Sequence, residues 1–287
     1  MGMTDKRIAV VTGASRGAGR GIAIALGREG YAVYVTGRTQ NPGEADLPGT
    51  IHETAREVTD AGGHGIAVAC DHADDAQIAA LFAQVEREQG RLDILVNNVA
   101  HIHDHLIEPG GFWEKSIDLV KILDVGLRSQ YIACWHAAPL MARQKSGLIV
   151  FTSSFGSVCY MHGPAYGAQK AGVDKFAADM AVDLKDYNVA AVSIWMGMLM
   201  TERSKRATEL RPDQYRDFAA MAETPEFTGH LIAALAADPD IMSLSGQTLI
   251  GAELADRYGL TDAGGKKPIS HRPFLGDPRV AHPAVVR

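Results

Sequence analysis

The 287-residue sequence predicts an α/β fold, a doubly wound, seven-stranded parallel sheet flanked by helices. Three observations predict it. Short apolar runs alternate with amphipathic stretches along most of the chain, the order expected of successive βαβ units. The first run, RIAVVT (7–12), ends in a glycine-rich turn that opens a helix. Apolar residues make up 46% and charged residues 22%, enough for one large core.

The elements follow in order. RIAVVT is a strand, 19–30 a helix with Ile22, Ala23 and Leu26 at helical spacing, and YAVYVT (31–36) a second strand. A helix over 53–61 precedes the strand GIAVAC (65–70). An amphipathic helix over 74–89 precedes DILVN (93–97). A helix is expected over 117–138, then the buried strand GLIVFT (147–152), a long helix over 165–187, and VAAVSIW (189–195). A polar helical segment, a helix over 226–237 and the strand QTLI (247–250) complete the series. No repeat, low-complexity segment or linker interrupts it. One domain is therefore expected over 1–258, with a lid-like segment over about 198–225. Residues 259–287, rich in Gly, Pro and His, are expected to form an irregular tail, packed on a neighbouring subunit or partly disordered.

Charge and hydropathy exclude several roles. The net charge is −6 and no Lys/Arg stripe stands out, which argues against a nucleic-acid partner. No run approaches the roughly 18 apolar residues of a membrane span. The N-terminus lacks the pattern of a signal peptide, and Lys6 stands where a myristoylation motif needs Ser or Thr, so the expected location is the cytoplasm. Cys70, Cys134 and Cys159 match no metal or redox spacing and are expected to act as small apolar residues.

The turn after the first strand, Thr12-Gly13-Ala14-Ser15-Arg16-Gly17-Ala18-Gly19, has the spacing TGxxxGxG rather than GxGxxG. Glycines let the backbone approach a pyrophosphate, and the helix start offers free N–H groups and a positive dipole end. The second strand ends Thr36-Gly37-Arg38, with no acidic residue for a ribose 2′-hydroxyl. Arg38 suits a 2′-phosphate and Arg16 adds a second cation, so NADP(H) is favoured over NAD(H). The plainer alternative is that Arg38 is a solvated surface charge.

Tyr166 and Lys170 stand at i and i+4 on one helix face, where an ammonium would lower the phenol pKa. Ser153, 13 residues before Tyr166, ends the preceding strand and is expected to orient a substrate oxygen. Ser153, Tyr166 and Lys170 are the candidate catalytic set.

With these motifs in place, residues 5–252 resemble the short-chain dehydrogenase/reductase family. TGASRGAG, Asp71 after the third strand, Asn97-Asn98-Val99-Ala100, the Ser153/Tyr166/Lys170 set, and Gly197 with Thr201 all match its pattern. VGLR (125–128), SLSG (243–246) and RYGL (257–260) point further, to one subgroup. The resemblance implies that the cofactor lies on Gly13, Ser15, Arg16, Gly17, Ala18, Gly19 and Arg38. Asp71 and the His72 backbone would border the adenine, Asn97 would lie along the adenosine, Thr201 would meet the carboxamide, and Lys170 with Tyr166 would hold the nicotinamide ribose. It also implies a homo-oligomer, dimer or tetramer, formed through the fourth and fifth helices.

Three departures stand out. Gly126 occupies the place of the family's fourth-helix Asn, Met196 replaces the Pro before Gly197, and NNAG has become Asn97-Asn98-Val99-Ala100. The expected activity is hydride transfer between NADP(H) and a moderately apolar carbonyl or alcohol, with Tyr166 as general acid/base. Two rivals follow from the departures and the fold. An NADP-binding sensor or scaffold would bind cofactor without turnover, and an epimerase or dehydratase would convert substrate without net NADPH consumption.

No metal site is expected. His101-Ile102-His103-Asp104-His105 misses the spacing of a metallo-hydrolase motif and is expected to border the substrate mouth, or to be a solvated loop. Trp195, Met196, Met198, Leu199 and Met200 are either core or an adaptable substrate wall.

Overall fold

A computed structural model describes residues 6–287 of the chain. Met1–Asp5, where the reading of an absent signal peptide falls, lies outside them. Seven strands form one parallel sheet in the order β3-β2-β1-β4-β5-β6-β7. They are β1 (Ile8–Val11), β2 (Ala32–Gly37), β3 (His64–Ala69), β4 (Ile94–Asn97), β5 (Gly147–Ser153), β6 (Val189–Trp195) and β7 (Thr248–Ile250). The central strands are buried on both faces, which is why they are continuous apolar runs rather than alternating ones.

Helices cover both faces. On one, α1 (Gly17–Arg28), α2 (Ile51–Asp60) and α9 (Pro225–Ala237) pack over Val11, Val33, Val96 and Ile194. On the other, α3 (Asp75–Gln89), α5 (Ser129–Gln144) and α6 (Pro164–Leu184) pack over Val10, Tyr34, Leu95 and Phe151. α1 and α9 approach closely: a Cβ on Gly21 would lie 2.2 Å from the carbonyl carbon of Pro225. Capping sets the boundaries. Thr50 Oγ1 accepts from Glu53 N (3.0 Å) before α2, and Asp74 Oδ1 accepts from Ala76 N (2.9 Å) before α3. Gly90, in the left-handed region, ends α3. Each such N-cap contributes about 1 kcal/mol.

The topology positions the site. From β1 the chain winds outward through β2 to β3, then crosses back to β4 and outward to β7. Ligands of doubly wound sheets bind beyond the carboxyl ends of the strands at this reversal. Val11 pairs with Val35 on one side and Val96 on the other, so the loops after β1, β2 and β4 converge there.

The structure departs from the expected elements in three places. Instead of one helix over 117–138, a 3-10 turn (Ile117–Val120), a short α4 (Lys121–Leu123), a π-turn (Asp124–Arg128) and α5 follow one another. α5 continues past Pro139 to Gln144, because Leu140 and Met141 bury themselves in the core and outweigh the lost backbone bond. The segment after β6 divides into α7 (Glu202–Leu210) and α8 (Pro212–Met221). Its neck is pinned by two backbone bonds, Glu223 N to Met198 O (2.7 Å) and Met200 N to Glu223 O (2.9 Å). After β7 comes α10 (Gly251–Tyr258), and in the expected irregular tail one helical turn, α11 (Arg272–Leu275). Arg272 Nε donates to Glu253 Oε1 at 2.7 Å, and Leu275 packs beside Phe155 and Trp195 of the same chain. Among the described residues no helix is long and apolar enough to cross a membrane.

Candidate active site

A cleft of about 490 Å³ opens beyond the carboxyl ends of β1, β2, β4 and β5. The glycine-rich loop forms one wall. Gly13, Ser15, Arg16, Gly17 and Ala18 line it, while Gly19 is buried beneath as the first turn of α1 packs on the loop. Gly17 N already binds an anion: Glu202 Oε2, at the start of α7, accepts from it at 2.8 Å. That carboxylate lies where N–H groups and the helix dipole favour negative charge. The donor set therefore fits a phosphate. Sequence reasoning missed Glu202, since nothing local links it to a loop 185 residues away.

Arg38 and Asp71 face one another across the cleft, their charged groups 3.9 Å apart, and Arg38 is 70% exposed. Arg16 is more committed. Its guanidinium donates to Pro48 O (3.0 Å), Gly49 O (2.8 Å) and Thr39 Oγ1 (3.1 Å), so it buttresses the loop after β2. Burial lowers its pKa from the ordinary arginine value.

His72 is buried at the cleft wall, with Nε2 2.8 Å from Thr36 Oγ1. Its Nδ1 has no partner among the described residues. Burial pushes its pKa down to about 4, slightly opposed by Asp71. In the unfolded chain the same imidazole titrates near 6.5. Below that pH the unfolded state takes up a proton that the native state refuses, so stability is full above 6.5 and is lost as pH falls towards 4. The loss is roughly 3 kcal/mol. Urea titrations at several pH values check this, and His72→Gln, which cannot titrate, should flatten the slope.

The asparagine pair requires a correction. Asn97 was expected along the adenosine, but it is the last residue of β4 and points into the helical layer, where Nδ2 donates to Cys134 Sγ at 3.2 Å. Asn98, one residue on, faces the cleft and donates to Thr12 O (2.9 Å) and Gly13 O (3.2 Å). The pleat reverses side chains at every residue, so a one-residue difference changes the face.

The serine requires the same correction. Ser153 is fully buried at the end of β5, its Oγ donating to Lys170 O at 3.3 Å. It does not reach Tyr166. Ser154 does: its Oγ lies 2.9 Å from Tyr166 Oη and accepts from Gly156 N. The structure thus brings Ser154, Tyr166 and Lys170 together, with Tyr166 and Lys170 lining the cleft.

α6 carries Tyr166 and Lys170, and Pro164 starts it. α6 is tied to β6 through Asp174, which accepts from Ser193 Oγ (2.6 Å) and Trp195 Nε1 (2.9 Å). Lys170 Nζ donates to Thr152 O at 3.2 Å and lies 5.5 Å from the Tyr166 ring centroid. Burial lowers the Lys170 pKa to about 8, opposed by Asp174. Burial raises that of Tyr166, and the Ser154 hydroxyl partly counters it. The net shift is thus upward, opposite to the lowering expected from Lys170, because burial dominates.

Gly126 lies in the π-turn, and Gln169 Nε2 donates to its carbonyl at 2.7 Å. A Cβ at 126 would lie 3.0 Å from Gln169 Cγ, so Gln169 fills the space an Asn side chain would need. Sequence reasoning identified Gly126 but not its partner. Thr201 caps α7, accepting from Ser204 N at 3.3 Å, at the cleft's edge. Of the apolar cluster, Trp195 is core, whereas Met196 and Leu199 line the cleft. Among the described residues no three His, Cys, Asp or Glu side chains are grouped to hold a metal. His101 borders the cleft.

The parallel sheet, the loop at its reversal and the tyrosine–lysine helix define a class. The model of the family described as short chain dehydrogenase matches residues 7–211, and the chain belongs to this family of oxidoreductases. Dehydrogenase/reductase SDR family member 1 of Homo sapiens is 42% identical over 271 residues, covering 91% of this chain and 84% of that protein. Its counterpart in Mus musculus is 40% identical, with the same coverage. The fold is shared with a short-chain type dehydrogenase/reductase from Mycobacterium marinum, at a TM-score of 0.70 and 21% identity, covering 85% of this chain and 93% of that one.

Proposed function

We propose that the chain is an NADP(H)-dependent oxidoreductase acting on a moderately apolar carbonyl or its alcohol, with Tyr166 as proton donor and acceptor. The observation that carries this is the hydrogen-bonded Ser154–Tyr166 pair beside buried Lys170, in the same cleft as the glycine-rich loop. Gly13, Ser15, Gly17 and Ala18 would hold the phosphates, Arg38 the 2′-phosphate, and Asp71 with His72 the adenine. Asn98 takes the place first given to Asn97, Thr201 would meet the carboxamide, and Lys170 would hold the ribose. When bound, the nicotinamide supplies or accepts hydride.

The chain's own residues handle the proton. Ser154 Oγ orients the substrate oxygen, and Tyr166 Oη gives it a proton during reduction. The raised pKa keeps the phenol protonated near neutral pH, the form reduction needs. Lys170 sets the field at the phenol from behind. Met196 and Leu199 give the pocket an apolar wall. The exposed Tyr131 and Trp135 of α5 suit burial against a second copy in a homo-oligomer.

The test mixes protein and NADPH with apolar aldehydes and ketones and follows reduced nicotinamide by absorbance. Consumption is expected with at least one of them, and none with any would count against the reading. Arg38→Glu should reverse the cofactor preference. Removing the cation and adding a like charge next to the 2′-phosphate should weaken NADPH by about 100-fold, with little change for NADH. Equal losses for both cofactors would refute the 2′-phosphate role.

A further inference from the structure

A second cavity, of about 610 Å³, lies beside the active-site cleft. One wall is the segment from Leu106 to Leu123, and the other is the approach to α6, Tyr160 to Ala168. Its volume is that of a small-molecule site. Phe112, Trp113, Ile117 and Tyr160 line it, exposed by 63%, 75%, 86% and 83%. So large a cluster of exposed apolar side chains marks a binding surface.

The cavity adjoins the catalytic cleft. Leu106 lines both. His162 lines the groove, and its ring meets that of Tyr166 edge-on, with centroids 5.0 Å apart. His162 also holds φ at +60°, a conformation uncommon for residues other than glycine. Such strain gathers at functional sites. Lys115 also lines the groove, and its ammonium donates to Leu106 O at 3.2 Å.

We propose that this groove holds the apolar arm of the substrate, an alkyl or aryl chain attached to the carbon that reacts at Tyr166. The inference rests on the carbonyl/alcohol reading above and adds a substrate class: long-chain or ring-bearing aldehydes, ketones and alcohols.

The test uses the full chain with NADPH and straight-chain aldehydes from butanal to octanal. Each buried methylene should raise kcat/KM roughly fourfold, or about 200-fold across the series. Ile117→Glu and, separately, Trp113→Ala should flatten the chain-length slope. Ile117 is 86% exposed, so its replacement leaves the core intact. Turnover with no dependence on chain length would overturn the groove while leaving the carbonyl reading in place. If no aldehyde reacts, quenching of Trp113 fluorescence by 1-decanol separates the two ideas. Saturable quenching, absent in Trp113→Phe, keeps the groove and discards the carbonyl reading, whereas no quenching overturns the groove as well. A flat slope together with an oligomer that Ile117→Glu dissociates would make the groove a contact between copies, and the proposal would fail.

Discussion

Replacing Tyr166 with Phe is expected to lower kcat by about 10²–10⁴, the usual contribution of a positioned general acid. The ring, its contact with His162 and the shape of the cleft all remain; only the transferable proton is lost. NADPH affinity should change by no more than a few-fold, which separates chemistry from binding. The paired serines sharpen the experiment. Ser154→Ala removes the hydroxyl 2.9 Å from Tyr166 Oη and should also lower kcat. Ser153→Ala removes a buried hydroxyl bonded to Lys170 O, so it should cost about 1 kcal/mol of stability and spare most of kcat. For the reductive reaction, kcat/KM should fall as pH rises through about 8, where buried Lys170 loses its charge in the free protein. Steady-state kinetics with a fluorescence titration of NADPH measure all of these. A Tyr166→Phe protein with near-normal kcat would remove the phenol from the mechanism.

The serine comparison also marks the boundary of what the sequence makes legible. The strands were readable because a parallel sheet buried on both faces demands uninterrupted apolar runs, and such runs are a local property. The glycine-rich loop and the Tyr166–Lys170 pair were readable for the same reason, since their spacing lies within one turn or one helix. The register of a side chain at a strand end is different. Asn97 and Asn98, like Ser153 and Ser154, are identical residues on opposite sides of the pleat, and composition cannot distinguish them. A strand-end position counted by pleat parity, rather than by distance from Tyr166, would have carried the signal.

Long-range polar contacts were beyond local reading altogether. Glu202 on Gly17 N and Gln169 on Gly126 O join residues 185 and 43 positions apart. In the second case a faint signal existed. A glycine in the middle of a helix leaves space, and a residue facing it must fill that space. The C-terminal segment is a further case in which the contacts are not local. Its Gly, Pro and His content denies it a periodic pattern, yet Arg272 on Glu253 and Leu275 against Phe155 hold it to its own chain.

Gly19→Ala is expected to weaken cofactor binding by at least about 100-fold without changing any charge. A Cβ there would lie 2.4 Å from Gly13 O, 2.6 Å from Asn98 Nδ2 and 2.9 Å from Ala14 Cα. None of these neighbours can move cheaply. Two are backbone, and the amide of Asn98 is bonded to Thr12 O and Gly13 O. The first turn of α1 must therefore separate from the loop, displacing the Gly17 N–H that holds Glu202 and that would face a phosphate. Overpacking of this kind costs about 1–3 kcal/mol of stability, a fall in Tm of several degrees for a chain this large. The circular dichroism spectrum should remain that of the folded chain, so that lost affinity reflects the loop rather than unfolding. The salt dependence of the residual binding should match wild type, because every cation is retained. That distinguishes the variant from Arg38→Glu, which alters charge and leaves the loop in place. An NADPH dissociation constant within twofold of wild type would mean that the cofactor does not lie on this loop, and the assignment of the cleft would have to be withdrawn.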